Sequence, residues 1–258
     1  MAETAIRYIL VADSHLPDEP AGTEEFFSML DSLACFASSL EKEKRPSLVF
    51  LGDIFELWIA LPGYEKESHR RFLDWCKGHK NEFPVLFIEG NHEFFVSFLH
   101  RNSFTFCTAN RIRENDAVFL HGDLVNLSDW KYRSLRVLLR NPVTALLLYL
   151  FAGFGGKALA EKVRTALKGT NLENKSALPR SFLEKRASSL FRKEGGTLIS
   201  GHFHDGHVLC SKDGSRRICI LPAWESQRGL VGLFAADGTL SFRPWREVFL
   251  PREERSAP

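Results

Sequence analysis

The sequence predicts an α/β sandwich with mixed β-sheets, and three features of its pattern point there. Short β-favouring apolar runs alternate with amphipathic helical stretches in the N-terminal half, a long helical block follows, and the C-terminal part alternates short strands with turns. Helices interleaved with strands place parallel strands in a sheet, and closing hairpins add antiparallel ones. At 258 residues the chain is long enough for one large domain carrying an insertion.

Taken in order, residues 6–12 form a buried strand that ends at Asp13. Residues 23–42 are an amphipathic helix with Thr23 as its cap and Phe26, Phe27, Leu30, Leu33 and Phe36 or Ala37 on one stripe. Residues 46–51 give a second strand running into Gly52-Asp53, residues 66–80 a second helix, and residues 84–89 a third strand running into Gly90-Asn91. Two further strands, 104–107 and 117–120, precede His121. Residues 124–196 are helical and form an inserted cap, after which 197–200 restores a strand leading into Gly201-His202. Strands at 207–210, 217–221, 229–234 and 240–242 follow, with turns at 212–214 and 236–238. The core is thus 1–123 with 197–250, the cap is 124–196, and 251–258 is a charged tail that frays.

Five strands of the core each deliver a polar cluster: Asp13-Ser14-His15, Gly52-Asp53, Gly90-Asn91-His92-Glu93, His121-Gly122-Asp123, and Gly201-His202-Phe203-His204. His202 and His204 stand two residues apart, which puts both imidazoles on one side of an extended chain. Taken singly, Asp53 behind Gly52 is a turn residue, Gly90-Asn91 a turn pair, and His121 a core histidine. Together the carboxylate, amide and imidazole groups form a set that converges on two divalent cations. Glu93 is expected to support its loop rather than ligate. Asp123 stands either behind a ligand or in a turn, and Glu56, at helical spacing after Asp53, is expected behind a ligand. His69, His79, His100 and His207 lie outside the clusters and are given no function.

These motifs, in this order, resemble those of the calcineurin-like metallophosphoesterases, a family of two sheets flanked by helices. The resemblance implies that Asp13, His15, Asp53 and His204 hold one metal, and that Asp53, Asn91, His121 and His202 hold the other, with Asp53 bridging. It implies a catalytic role for His92 at the scissile phosphate, protonating the leaving oxygen or stabilising the charged transition state. Paired metals about 3.5–4 Å apart lower the pKa of a shared water and clamp phosphoryl oxygens for in-line attack. The nitrogen and oxygen donor set without thiolate suits Mn²⁺, Mg²⁺, Fe, Ni²⁺ or Zn²⁺, and the resemblance favours Mn²⁺.

The net charge of +2 is unevenly spread. Residues 124–196 hold seven Lys, seven Arg, one Asp and four Glu, or +9, which leaves −7 for the rest. Residues 142–155 are almost wholly apolar, too short to cross a bilayer, where about 20 residues are needed. Flanked by Lys131, Arg133, Arg136, Arg140, Lys157, Lys162 and Arg164, this run is either an interfacial segment over anionic lipid or a buried cap helix with a solvated basic face. The position of the insertion, Gly-Asp-Ile-Phe-Glu-Leu-Trp at 52–58, the Asp129/Tyr132 spacing and Arg164 are similar to the UDP-2,3-diacylglucosamine hydrolases of lipid A synthesis. That resemblance implies a UDP-linked acylated glucosamine substrate contacted by Asn91, His92, Asp129, Tyr132 and Arg164. It implies hydrolysis to UMP and 2,3-diacylglucosamine 1-phosphate, at the inner face of the bacterial inner membrane. In one respect the chain departs: proteobacterial members carry Gly-Asn-Arg where this chain has Gly-Asn-His, the general phosphoesterase pattern. The alternative is a phosphoesterase acting on another nucleotide or phosphodiester.

Composition narrows the remaining classes. Five cysteines with no Cys-x-x-Cys spacing argue against a disulfide framework or a structural zinc cage and for a reducing compartment. No signal peptide is expected, since the chain opens without a basic region or cleavage site. The basic residues of the cap interleave with aliphatics rather than stacking aromatics, so nucleic acid is not an expected partner. No obligate protein partner is inferred. A fold kept only as a binding scaffold is disfavoured by the complete ligand set and His92.

Overall fold

The computed structural model describes residues 5–17, 20–114, 116–125, 130–151, 180–191, 196–211, 214–224, 229–251 and 253. Its strands are β1 (Ile6–Val11), β2 (Ser47–Phe50), β3 (Trp58–Ile59), β4 (Val85–Ile88), β5 (Glu93–Phe94), β6 (Phe106–Thr108), β7 (Arg111–Glu114), β8 (Ala117–Leu120), β9 (Gly196–Ser200), β10 (Val208–Cys210), β11 (Arg216–Ile220), β12 (Leu230–Ala235) and β13 (Leu240–Pro244). Its helices are α1 (Glu24–Ser39), α2 (Glu67–His79), α3 (Val96–Leu99), α4 (Trp130–Leu139), α5 (Pro142–Phe151), α6 (Arg180–Leu190) and α7 (Trp245–Phe249).

Two mixed sheets pack face to face. The first runs β13-β12-β1-β2-β4-β6, with β1, β2, β4 and β6 parallel and β12 antiparallel to both of its neighbours, β1 and β13. The second runs β10-β11-β9-β8-β7, parallel at its centre and antiparallel at both edges. The period of two along each strand sorts side chains between layers. In the first sheet Ile9, Val11, Leu48, Phe50, Val85 and Phe87 face the helical layer, while Tyr8, Leu10, Val49, Leu51, Leu86 and Ile88 face the other sheet. In the second sheet Phe119, Ile199 and Cys219 meet them from the opposite side. Val118, Leu120, Leu198, Ile218 and Ile220 point outward onto α6. Strands buried on both faces explain the unbroken apolar runs in the sequence.

Several elements differ from the sequence expectation. α1 buries Phe26, Phe27, Met29, Leu30, Leu33, Ala34 and Ala37 as its spacing predicts, but it ends at Ser39 and a short 3-10 turn covers Lys42–Lys44. Thr23 stands at the cap position, yet its hydroxyl donates to the Pro20 carbonyl at 2.7 Å instead of accepting from the helix. β7 was not anticipated, because in Arg-Ile-Arg-Glu only Ile112 is buried and the edge strand carries no apolar run. β6 begins two residues later than expected, after a turn at Arg101–Ser103. α6 falls within the stretch expected to be cap, but its Leu183 and Ala187 pack with Phe191 on the outer face of the second sheet. The remaining described helices of that stretch, α4 and α5, lie beside the first sheet's helical layer. Ala145 of α5 joins that core, and the Tyr64 hydroxyl donates to the Leu148 carbonyl. α5 starts cleanly: Pro142 occupies its first turn and the Asn141 side chain accepts from the Thr144 amide at 3.0 Å.

Candidate metal centre

β1, β2 and β4 of the first sheet and β8 and β9 of the second end at the same rim of the sandwich, each handing the chain to one polar cluster. Loops at the carboxyl ends of parallel strands are where α/β folds build their sites. The loops are laced to one another by main chain: Asp13 N donates to Gly52 O and His15 N to Asp53 O, both at 3.0 Å. The sheets are joined at the same place by His202 N, which donates to the Asp13 carboxylate at 2.8 Å.

The backbone is strained where the predicted ligands stand. Six described non-glycine residues have left-handed φ: Asp13, His15, Asp53, Phe95, His202 and His204. Five of them are predicted ligands, and such outliers gather at functional sites because each costs on the order of 1–3 kcal/mol. The glycines between them permit close approach. A Cβ on Gly90 would overlap the Asp53 carboxylate, and one on Gly52 would strike the Gly90 backbone and the His121 ring.

Three sets of donor atoms come together, each set lying within 4.8 Å: Asp13 with His15 and His204, Asp53 with His121 and His202, and His15 with Asp53 and His92. The first two sets each gather three of the four residues expected for one cation, and Asp53 stands in the second and third. Asn91 joins the His121 group, its Oδ1 lying 3.0 Å from His121 Nε2. Of the positions expected to touch substrate, Asn91 and His92 are at the centre and Tyr132 stands on α4, while Asp129 and Arg164 lie outside the described residues.

Hydrogen bonding sets the tautomers. His121 Nδ1 lies 2.7 Å from the Leu51 carbonyl, and a carbonyl can only accept, so Nδ1 carries the hydrogen. Nε2 then presents a lone pair, 3.3 Å from Asp53 Oδ2 and 3.2 Å from His202 Nδ1. By the same argument His92 Nδ1 donates to the Glu56 carbonyl at 2.6 Å, which aims Nε2 at Asp53 Oδ2, 3.8 Å away. Glu56 therefore acts through its main chain. Glu93, expected as loop support, is fully buried and accepts from Asp53 N at 2.8 Å and from Ile54 N and Gly90 N at 2.7 Å.

Charge is concentrated here. Burial works to raise both aspartates, but the His204 hydrogen bond and the His121 charge hold Asp13 below the usual carboxylate range. The charges of His121 and His92 hold Asp53 well below it. Burial works to lower His121, and the charge of Asp53 raises it. Burial and then the charge of Asp53 push Glu93 up to about 8. A buried cluster of carboxylates, an amide oxygen and imidazole lone pairs directed at common points fits divalent cations, which would neutralise the negative charge that perturbs it.

Sequence reasoning found the groups that could ligate and Glu93 as their loop support, and missed the groups that orient the imidazoles. The Leu51 and Glu56 carbonyls left no residue-type signal. The Ser200 hydroxyl, which donates to the His121 carbonyl at 2.8 Å, carried only its place before Gly201-His202. The five cysteines are free. No helix among the described residues is long and apolar enough to cross a membrane.

Comparison with known proteins bears on the same residues. UDP-2,3-diacylglucosamine hydrolases of Shigella sonnei (strain Ss046) and Escherichia coli O139:H28 are each 26% identical over 246 residues, covering 92% of this chain and 99% of the relative. Among solved structures, a predicted phosphoesterase of Streptococcus pneumoniae TIGR4 is 11% identical at a TM-score of 0.40, covering 95% of this chain and 92% of that one. The Escherichia coli phosphoesterase Yfce is 13% identical at 0.39, covering 92% and 98%. A family profile described as calcineurin-like phosphoesterase matches residues 6–206, a span that runs from β1 through all five polar clusters, and the chain belongs to that family of hydrolases.

Proposed function

We propose that this phosphoesterase cleaves the pyrophosphate of UDP-2,3-diacylglucosamine, releasing UMP and 2,3-diacylglucosamine 1-phosphate by water attack on the α-phosphate. The observation that carries the proposal is the end-to-end match to relatives of that name, 99% of whose length is paired with this chain. Asp13, His15, Asp53 and His204 would hold one cation and Asp53, Asn91, His121 and His202 the other, with Mn²⁺ the favoured ion. Two cations bound there would supply an activated water and a clamp for the phosphoryl oxygens. The chain's own groups then have assignable work. His92, fixed through Nδ1 by the Glu56 carbonyl, offers a proton from Nε2 to the departing oxygen when it is charged. Glu93 holds the loops of Asp53 and Gly90 at one carboxylate. Asp129, Tyr132 and Arg164 are assigned to the sugar and phosphate region.

The insertion 124–196 is proposed to hold the acyl chains and to rest on an anionic membrane surface from the cytoplasmic side. Supporting this, Val143, Leu146, Leu147, Tyr149 and Leu150 of α5 are exposed, and the stretch carries the chain's positive charge. The Mn²⁺-loaded protein incubated with UDP-2,3-diacylglucosamine should release UMP. Absence of UMP from a protein that retains its metals overturns the assignment. His92, in place of the arginine of proteobacterial relatives, favours a second reading in which the substrate is another nucleotide or phosphodiester. Turnover of soluble diesters without UMP release would select it.

A further inference from the structure

The helix α4 and the residue directly after it grip the rim of the site with two arginines one turn apart. Arg136 pairs with the Asp123 carboxylate and donates to the Ala109 carbonyl at 2.7 Å. Arg140, whose amide still bonds to the Arg136 carbonyl, donates to the Gly90 carbonyl and faces Glu89 Oε2 at 3.5 Å, with its guanidinium over the Phe94 ring. Both side chains are about nine-tenths buried, and Glu89 is only 1% exposed. Two buried guanidiniums on one helix face repel each other, and burial followed by the Arg140 charge pulls Arg136 down to about 9. Such an arrangement persists only if each cation is firmly partnered.

The partners are informative. Gly90 is held from both ends, its N–H by Glu93 and its carbonyl by Arg140. That carbonyl belongs to the peptide that leads into Asn91, so its orientation sets where the Asn91 amide points. Asn91 Oδ1 lies 3.0 Å from His121 Nε2.

We propose that Arg140 is a positioning residue for Asn91, so that docking of α4 and placement of a metal-binding amide are one and the same contact. The planar fork of arginine reaches the Gly90 carbonyl and the Glu89 carboxylate at once, which an ammonium group does not reproduce. The proposal rests on Asn91 holding a cation, as argued above.

The test pairs Mn²⁺ binding by calorimetry with hydrolysis of bis(p-nitrophenyl) phosphate, a soluble diester without acyl chains. Arg140→Gln is expected to weaken one Mn²⁺ site about 10–100-fold and to lower kcat on the diester by a similar factor, with KM little changed. Arg140→Lys should recover part of both. Wild-type Mn²⁺ affinity and kcat in Arg140→Gln would overturn the proposal, as would a loss confined to KM for an acylated substrate. If Arg140→Gln does not fold, Arg140→Lys decides: a smaller loss of Mn²⁺ affinity supports the role and wild-type affinity refutes it. A wild-type protein that binds two Mn²⁺ yet turns over no phosphoester contradicts the proposed function, and the calorimetric comparison still judges Arg140.

Discussion

Glu93 collects three backbone amides from two loops on one buried carboxylate, and Asp53 is among the residues so held. Glu93→Gln puts an amide N–H against a donor, which should cost about 1–3 kcal/mol in urea unfolding and reduce bound Mn²⁺. His92 makes a different prediction. His92→Ala should lower turnover by about 10²–10⁴-fold with metal content unchanged by elemental assay. The perturbed groups also set a pH dependence for the metal-free protein. Glu93, raised from 4.5 to about 8, keeps a proton in the folded state that the unfolded chain has released, so its contribution falls as pH rises through that window. The contribution of His121, also raised, is complete below 6.5 and is lost as pH climbs through its folded value. Those of Asp13 and Asp53, both lowered, are present above 3.8 and lost as pH drops through their folded values. Metal-free protein should therefore unfold at lower temperature at pH 8 than at pH 6, and Mn²⁺ should raise Tm more at pH 8. The ligand types were legible in the sequence because a cation demands oxygen and imidazole donors. The Leu51, Glu56 and Gly90 carbonyls that orient His121, His92 and Arg140 were not, since every residue has a carbonyl and only the fold aims it.

Among the elements, strands that end in a chemical residue were the easiest to read. β1, β2, β4 and β8 are buried on both faces and appear as apolar runs, each stopped by a polar cluster. β7 and the β3–β5 pair were not legible, because an edge strand with one buried residue and a two-residue bridge carry no periodic signal. α6 falls in the helical stretch expected to be cap. It carries Arg180, Lys185 and Arg186, while Leu183 and Ala187 cover the second sheet. Leu183→Ala should cost about 2–5 kcal/mol in urea unfolding, as in a core helix. A loss under about 1 kcal/mol, as for a surface change, would place α6 with the cap instead. Arg136 and Arg140 were expected as basic flanks of the apolar run 142–155, facing lipid or solvent, yet both are buried against carboxylates and carbonyls of the site loops. The sequence shows the charges but not their partners, which stand on loops far along the chain.

Across the whole molecule, the site exists only when both sheets are assembled: Asp13, His15, Asp53, Asn91 and His92 come from the first, and His121, His202 and His204 from the second. Ions bound there tie the two sheets at their rim, adding about 2.7 kcal/mol when free metal is a hundredfold above Kd. The fold class and this convergence were legible because five clusters at the ends of five strands have few other ways to meet. The substrate is less so, since the proposed assignment places it against residues of 124–196 whose partners only the folded chain selects. The central claim is the paired cation site with Asp53 in both halves, and metal counting tests it most directly. Protein loaded with Mn²⁺, desalted and assayed by elemental analysis should hold about two ions per chain, and Asp53→Ala should lose both metal and phosphoesterase activity. One ion or none in the wild-type chain, or a full complement with full activity in Asp53→Ala, would contradict it.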